Sequence, residues 1–272
     1  MDNLKQFFKT FLDTEEKLND ISDGETLAKS KLEVISTGSL LLDNALGCWG
    51  IPRGRIVQFY GRPGSGKTLM SLLTIKNAQA VDSTSRQLFI DAEQTFNSKW
   101  AQQLGIDIKR VDVLKGSTAV IGRDLFNALL GVPKEDAKTH AYKGKSKEGL
   151  LDKIAKKEIN INLIVLDSLG ALIPPGEDIS EVGKSNMALM SRFLTPTLKK
   201  VALEVARANI PFIIINHVKD SMDAYGPDHT FSGGNSYHHA LSASIYFEAV
   251  MRKDAQILDS KDQKIGSTIR AA

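Results

Sequence analysis

The chain has 272 residues, 42% of them hydrophobic and 25% charged, with a single cysteine, Cys48, and a formal net charge of +3. That length supports one large domain with a genuine core, and the composition excludes a disordered or fibrous chain. One cysteine excludes an intramolecular disulfide, and no apolar run approaches the roughly 20 residues of a membrane span. The N-terminus also lacks the basic start and apolar core of a secretory signal, so a cytoplasmic protein with no membrane partner is expected.

Leu4, Phe7, Phe8, Phe11, Leu12, Leu18 and Ile21 recur near helical spacing, which predicts an amphipathic helix over 3–21. A polar linker follows, so residues 1–32 are read as a separate N-terminal element. Its apolar stripe docks either on its own core or on a neighbouring protomer. From residue 55 apolar strands alternate with helices. "RIVQFYG" leads through a Gly-rich turn into the helical run "KTLMSLLTIKNAQAV", and "RQLFIDAE" leads into "FNSKWAQQLG". "RVDVLKG" precedes a helix through "DLFNALLG". Residues 134–157 then carry eight lysines against four acids and read as part of an insertion near 131–160. Such a run either faces water or attracts phosphate backbones. "INLIVLDS" is a fourth strand. A helical stretch over 184–208, which Pro196 should kink or split, leads to the strand "PFIIIN". "HHALSASIYFEAVMRK" suggests an antiparallel strand pair near the end. The whole predicts an α/β fold with a mostly parallel sheet covered on both faces, whose ligands bind beyond the carboxyl ends of the strands.

"GRPGSGKT" matches the P-loop pattern directly after a predicted strand and at the start of a helix, the context that pattern requires. Gly61, Arg62, Pro63, Gly64, Ser65, Gly66, Lys67, Thr68 and Leu69 are therefore the expected nucleotide cradle. The glycines let backbone N–H groups approach phosphate, Lys67 offsets β/γ-phosphate charge, and Thr68 ligates Mg²⁺. ATP and Mg²⁺ are the implied cofactors. Asp167, delivered by the apolar strand "LIVLDS", is the second metal-associated residue. Glu93, just past the strand "LFIDAE", is placed to polarise a water for attack on the γ-phosphate. Asp91 competes for that role, since strand alternation does not decide which side chain faces the nucleotide.

Four segments, "STGSLLLDNALGCWGIPRGRIVQFYGRPGSGKT", "FIDAE", "LIVLDSLGALIP" and "FSGGN", resemble in order and spacing the ATPase core of bacterial RecA-type recombinases. The resemblance runs from about Val34 to Arg270, making residues 33–272 a RecA-like core. It implies an ATP-dependent enzyme that forms filaments on single-stranded DNA, pairs it with homologous duplex and exchanges strands. It also implies a catalytic role for Glu93, an adenine contact for Trp100, and an adenine-reading position at Asn97, where the bacterial proteins carry an acid. His217 falls where they carry a glutamine that senses the γ-phosphate. Residues from about Glu177 to Asn186 match the first DNA loop and about 218–234 the second.

From these matches the expected DNA contacts are Lys184, Arg192, Lys219, Tyr225, Phe231, Gly233, Gly234 and Asn235. Tyr225 and Phe231 would stack on bases and Lys219 would meet phosphate. Three acids, Asp220, Asp223 and Asp228, oppose tight binding by one subunit and favour affinity summed along a filament. Two other readings stand beside this one. A RecA-like accessory module would bind ATP without exchanging strands, and a hexameric helicase would share the core but close into rings.

Overall fold

The computed structural model describes residues 32–116, 121–135, 142–176, 187–220, 229–231, 236–249, 256–258, 264–267 and 269–271. The chain divides into two units, Met1–Glu33 and Val34–Ala272. The expected N-terminal helix lies outside the described residues.

The second unit opens with a small clasp. Strand β1 (Val34–Ile35) pairs antiparallel with β2 (Ile51–Pro52), and helix α1 (Leu40–Ala45) lies between them. The "STGSLLLD" segment is explained by its hydrogen bonds. Buried Asp43 accepts from the Ser36 hydroxyl (2.6 Å), the Thr37 hydroxyl (2.7 Å) and the Thr37 N–H (2.9 Å). A buried carboxylate needs such donors, so this segment is a structural knot rather than a chemical site.

Strand β3 (Ile56–Gly61) then runs into helix α2 (Lys67–Val81), β4 (Arg86–Asp91), helix α3 (Ser98–Gln103) and β5 (Val111–Leu114). Helix α4 (Gly122–Leu130) follows, then a hairpin of β6 (Gly131–Glu135) and β7 (Tyr142–Glu148). Next come helix α5 (Leu150–Ala155), β8 (Ile161–Asp167), helix α6 (Met187–Ala208), β9 (Phe212–Asp220) and β10 (His229–Phe231). Strand β11 (Ala243–Ala249), a small β12 (Gln256–Leu258) and β13 (Lys264–Ser267) pair, and β14 (Ile269–Ala271) complete the described elements.

The main sheet has the order β14-β11-β3-β9-β8-β4-β5, with β10 attached to β9. Its strands from β11 to β5 are mutually parallel, while β14 and β10 are antiparallel. Alternation explains how both faces are buried. In β8, Leu163 and Val165 pack with α2 residues such as Leu72 and Ile75, whereas Ile164 and Leu166 pack with Leu125 of α4 and Leu198 of α6. Each such side chain contributes about 1.5–3 kcal/mol by leaving water.

Four expectations change on this fold. The terminal strand β11 is parallel to β3, pairing Ala243 with Val57 through to Phe247 with Gly61, and only β14 is antiparallel to it. Pro196 does not split α6, which is continuous from Met187 to Ala208. The Thr195 and Thr197 hydroxyls flank it by donating to the carbonyls of Ser191 and Phe193, four residues back. The Lys-rich stretch is not all surface, because Leu151 and Ile154 of α5 enter the core and Asp152 is buried against Arg207. Finally, the strand ending in "INH" does not stop there. It continues through Val218, Lys219 and Asp220, which pair with Phe231, Thr230 and His229.

Candidate active site

Sheet order assembles the site. The neighbours β3, β9, β8 and β4 bring the P-loop, His217, Asp167 and Asp91 to one edge. Register aligns them further, with Gly61 level with His217 and Asp91 level with Asp167. Residues remote in sequence thus meet because parallel strands all end on the same side.

The P-loop wraps the start of α2. Gly66 caps that helix in the left-handed region (φ 92°) and offers no side-chain hydrogen bond to its first turn. Those N–H groups and the positive helix end make an anion cradle. A Cβ on Gly61 would lie 2.1 Å from the Phe247 carbonyl oxygen of β11, so only glycine fits there, and one on Gly66 would meet Ile269. Arg62, Pro63 and Gly64 are exposed while Ser65 is buried. Leu69 sits in the first turn of α2, half-buried.

Lys67 is 4% exposed, and its ammonium donates to the carbonyls of Gly61 (3.0 Å) and Arg62 (2.8 Å) and to the Ser65 hydroxyl (3.4 Å). Burial lowers its pKa, while the nearby Asp167 and Glu93 carboxylates work in the opposite direction. The Thr68 hydroxyl donates to Asp167 Oδ2 at 2.7 Å. Asp167 is itself buried, and burial pushes its pKa up to about 6 against the help of that hydroxyl. A carboxylate held this reluctantly beside a hydroxyl is a suitable ligand for a cation or its water shell.

Glu93 is held by two neighbours. Its Oε1 accepts from the Ser168 hydroxyl at 2.5 Å and meets His217 Nε2 at 2.7 Å. The His217 hydrogen bond lowers its pKa and outweighs partial burial, so this carboxyl stays ionised below the usual range. Asp91 does something different. Its two oxygens accept from the N–H groups of Thr95 (2.9 Å) and Phe96 (3.0 Å), and Lys115 lies 3.4 Å away. It is wholly buried and organises the turn leading to α3. Of the two acids, Glu93 is the one beside Asp167 and His217.

On α3, Asn97 is the N-cap, accepting from the Trp100 N–H at 3.0 Å, and Trp100 is 37% exposed. Asn97 thus commits one of its oxygen's lone pairs to the helix, while Trp100 stands partly clear of the core.

The end of β9 carries an additional connection. Asn216 is fully buried, accepts the His217 N–H at 2.9 Å and donates to the Tyr237 hydroxyl at 2.7 Å. Burial pushes the Tyr237 pKa up to about 12, so that hydroxyl stays protonated. Tyr237 lies beyond the far end of the 218–234 segment, so the strand entering that segment is pinned to the chain leaving it. Among the expected DNA contacts, Arg192 is exposed on α6, Lys219 lies in β9 opposite Thr230, and Phe231 lies in β10 opposite Val218. Lys184, Tyr225, Gly233, Gly234 and Asn235 lie outside the described residues.

Sequence reasoning missed Ser168, Tyr237 and Lys115. Ser168 had a signal, since it directly follows the strand-terminal aspartate. Tyr237 and Lys115 had none, because their partners are set by tertiary packing.

A family model described as the RecA N-terminal domain matches residues 19–132 and 130–272. The chain is 32% identical over 233 residues to the protein named Protein RecA of Chloroherpeton thalassium, covering 85% of this chain and 56% of that one. It is 29% identical to the like-named proteins of Methylococcus capsulatus and Legionella pneumophila, over 91% and 88% of this chain and 62% and 61% of theirs. The chain therefore spans a little over half the length of these relatives. With a family match along most of its length and this P-loop edge on a parallel sheet, the chain belongs to the RecA family.

Proposed function

We propose that this protein is an ATP-dependent DNA recombinase that forms filaments on single-stranded DNA and exchanges it with homologous duplex, with DNA-stimulated ATP hydrolysis. The observation that carries this reading is the contact between His217 and Glu93, because His217 lies on the strand that continues into the β9/β10 hairpin. That contact supports a reading in which one strand links the proposed nucleotide site to the candidate DNA segment.

The uncapped start of α2 and the buried Thr68–Asp167 pair fit a magnesium nucleotide. The P-loop residues and Lys67 would hold the phosphates, Thr68 and Asp167 the Mg²⁺, and Trp100 with Asn97 the base. Bound Mg²⁺ supplies charge neutralisation on the phosphates. Glu93 is the general base, kept ionised by His217 and Ser168. In the present arrangement both partners occupy Glu93, which restrains it. A shift of His217 towards the γ-phosphate releases Glu93 and moves the base of the hairpin, an order-and-release switch of the kind other NTPases use. Arg192, Lys219 and Phe231, with Lys184, Tyr225, Gly233, Gly234 and Asn235, are the proposed DNA contacts.

The test is ATP turnover with and without single-stranded DNA for the wild type and Lys67→Ala, with electron microscopy of the same samples. The reading expects DNA-stimulated turnover that Lys67→Ala abolishes, and open helical filaments. Turnover indifferent to DNA would favour an accessory nucleotide-binding module, and closed rings would favour a helicase.

A further inference from the structure

We propose that Glu93, Asp167 and His217 form a binding site for a divalent transition ion of the imidazole-accepting class, Zn²⁺ or Co²⁺, which shares Asp167 with the Thr68–Asp167 position expected for Mg²⁺ and adds the imidazole. The ligand atoms of these three residues all lie within 4.8 Å of one another. An ion held tetrahedrally at about 2.0–2.2 Å from nitrogen and oxygen sets its donors about 3.4 Å apart, so side-chain rotation that opens the closest pair and draws in the wider ones completes the set. Asp167 ends β8 and His217 lies in β9, so the sheet sets their spacing, while Glu93 stands in the turn just after β4 and is held there by Ser168 and His217.

The donor set selects the ion. Mg²⁺ prefers oxygen ligands and retains its water, whereas one imidazole with two carboxylates favours zinc-like ions. His217 Nε2 and Glu93 Oε1 already face each other at 2.7 Å, so an ion replaces their hydrogen bond as the two atoms move apart to about 3.4 Å. The outer shell is also in position. The Ser168 hydroxyl donates to Glu93 and the Thr68 hydroxyl to Asp167, which orients both carboxylates. Three protein ligands leave open coordination positions, the pattern of an ion that exchanges rather than a sealed structural site.

Occupation ties up the proposed general base and its sensor at once, so Zn²⁺ opposes ATP turnover. That consequence rests on the proposed function, but the site itself does not.

The experiment is titration of Co²⁺ into the full chain without nucleotide, Mg²⁺ or DNA, read by visible ligand-field absorption and reversed by Zn²⁺. One equivalent should bind to the wild type, to Cys48→Ser and to His239→Ala alike, the last two removing a thiol and a second histidine as alternative ligands. Binding should weaken at least tenfold in Glu93→Gln and His217→Ala, with circular dichroism establishing that each is folded. His217→Gln, which retains a polar side chain of similar reach, serves if the alanine variant does not fold. Absence of bands in the wild type, equal binding by the His217 variants, or loss in Cys48→Ser or His239→Ala would overturn the site. Because no nucleotide or DNA is present, that failure leaves the recombinase reading standing. Conversely, DNA-indifferent turnover with Co²⁺ binding intact removes the recombinase reading and not the site.

Discussion

Strands β8 and β9 lie side by side and are built from nearly the same apolar code, "INLIVLD" and "FIIINH", yet they end differently. Strand β8 stops at Asp167, whose carboxylate is buried and bonded to Thr68 of the P-loop helix. Strand β9 presents His217 to Glu93 and then runs on to Asp220 as one arm of a hairpin. The first strand is an anchor, fixed at its tip by burial. Under the proposed function the second is a transmitter, because the residue that meets Glu93 is in the middle of the strand and not at its end. Two strands with similar cores thus end in different surroundings, decided by the residues that continue the chain beyond the apolar run.

The largest expected effect is on the group that both strands approach. Glu93→Gln should lower ATP turnover by about 10²–10⁴-fold, the range for loss of a positioned general base, with nucleotide affinity largely retained. Single-turnover kinetics beside nucleotide-binding measurements separate the two.

The anchor is tested by pH. Asp167 has a folded pKa raised to about 6, above the ordinary aspartate value near 3.9. A raised carboxyl pKa means that the unfolded chain loses this proton first, so stability falls as pH rises from about 4 to 6 and stays lower above that. Asp167→Asn should remove this penalty, which amounts to at most about 3 kcal/mol. Thermal melts in Mg²⁺-free, nucleotide-free buffer should show the variant more stable at pH 7.5 and the difference absent at pH 4.

The smallest effect concerns the transmitter's brace. Tyr237→Phe keeps the buried ring and removes one hydrogen bond to Asn216, costing about 1–2 kcal/mol in denaturant unfolding. It should also lower the ratio of DNA-stimulated to basal turnover while leaving the basal rate unchanged, since Tyr237 does not touch the nucleotide edge. An unchanged ratio would reduce Asn216–Tyr237 to a structural tie.

Much of this comparison was legible in the sequence. The P-loop, the parallel sheet and the acids at Asp167 and Glu93 arise from local pattern, because a glycine-rich turn and a run of buried aliphatics each have few structural solutions. The choice between Asp91 and Glu93 was not legible, since it depends on which backbone N–H groups the turn at 95–96 presents. Nor was the end of β9: Val218, Lys219 and Asp220 carry no strand signature and are extended because β10 returns beside them. The parallel placement of β11 was hidden for the same reason. Strand direction is decided by long-range pairing with β3, which no local composition records.

In the proposed function His217 couples the β9/β10 hairpin to Glu93. The most direct test of that coupling is the ratio of ATP turnover with to without saturating single-stranded DNA in His217→Ala. Coupling through His217 requires this ratio to fall to about one while the variant still binds ATP. A variant stimulated by DNA as strongly as the wild type would contradict it.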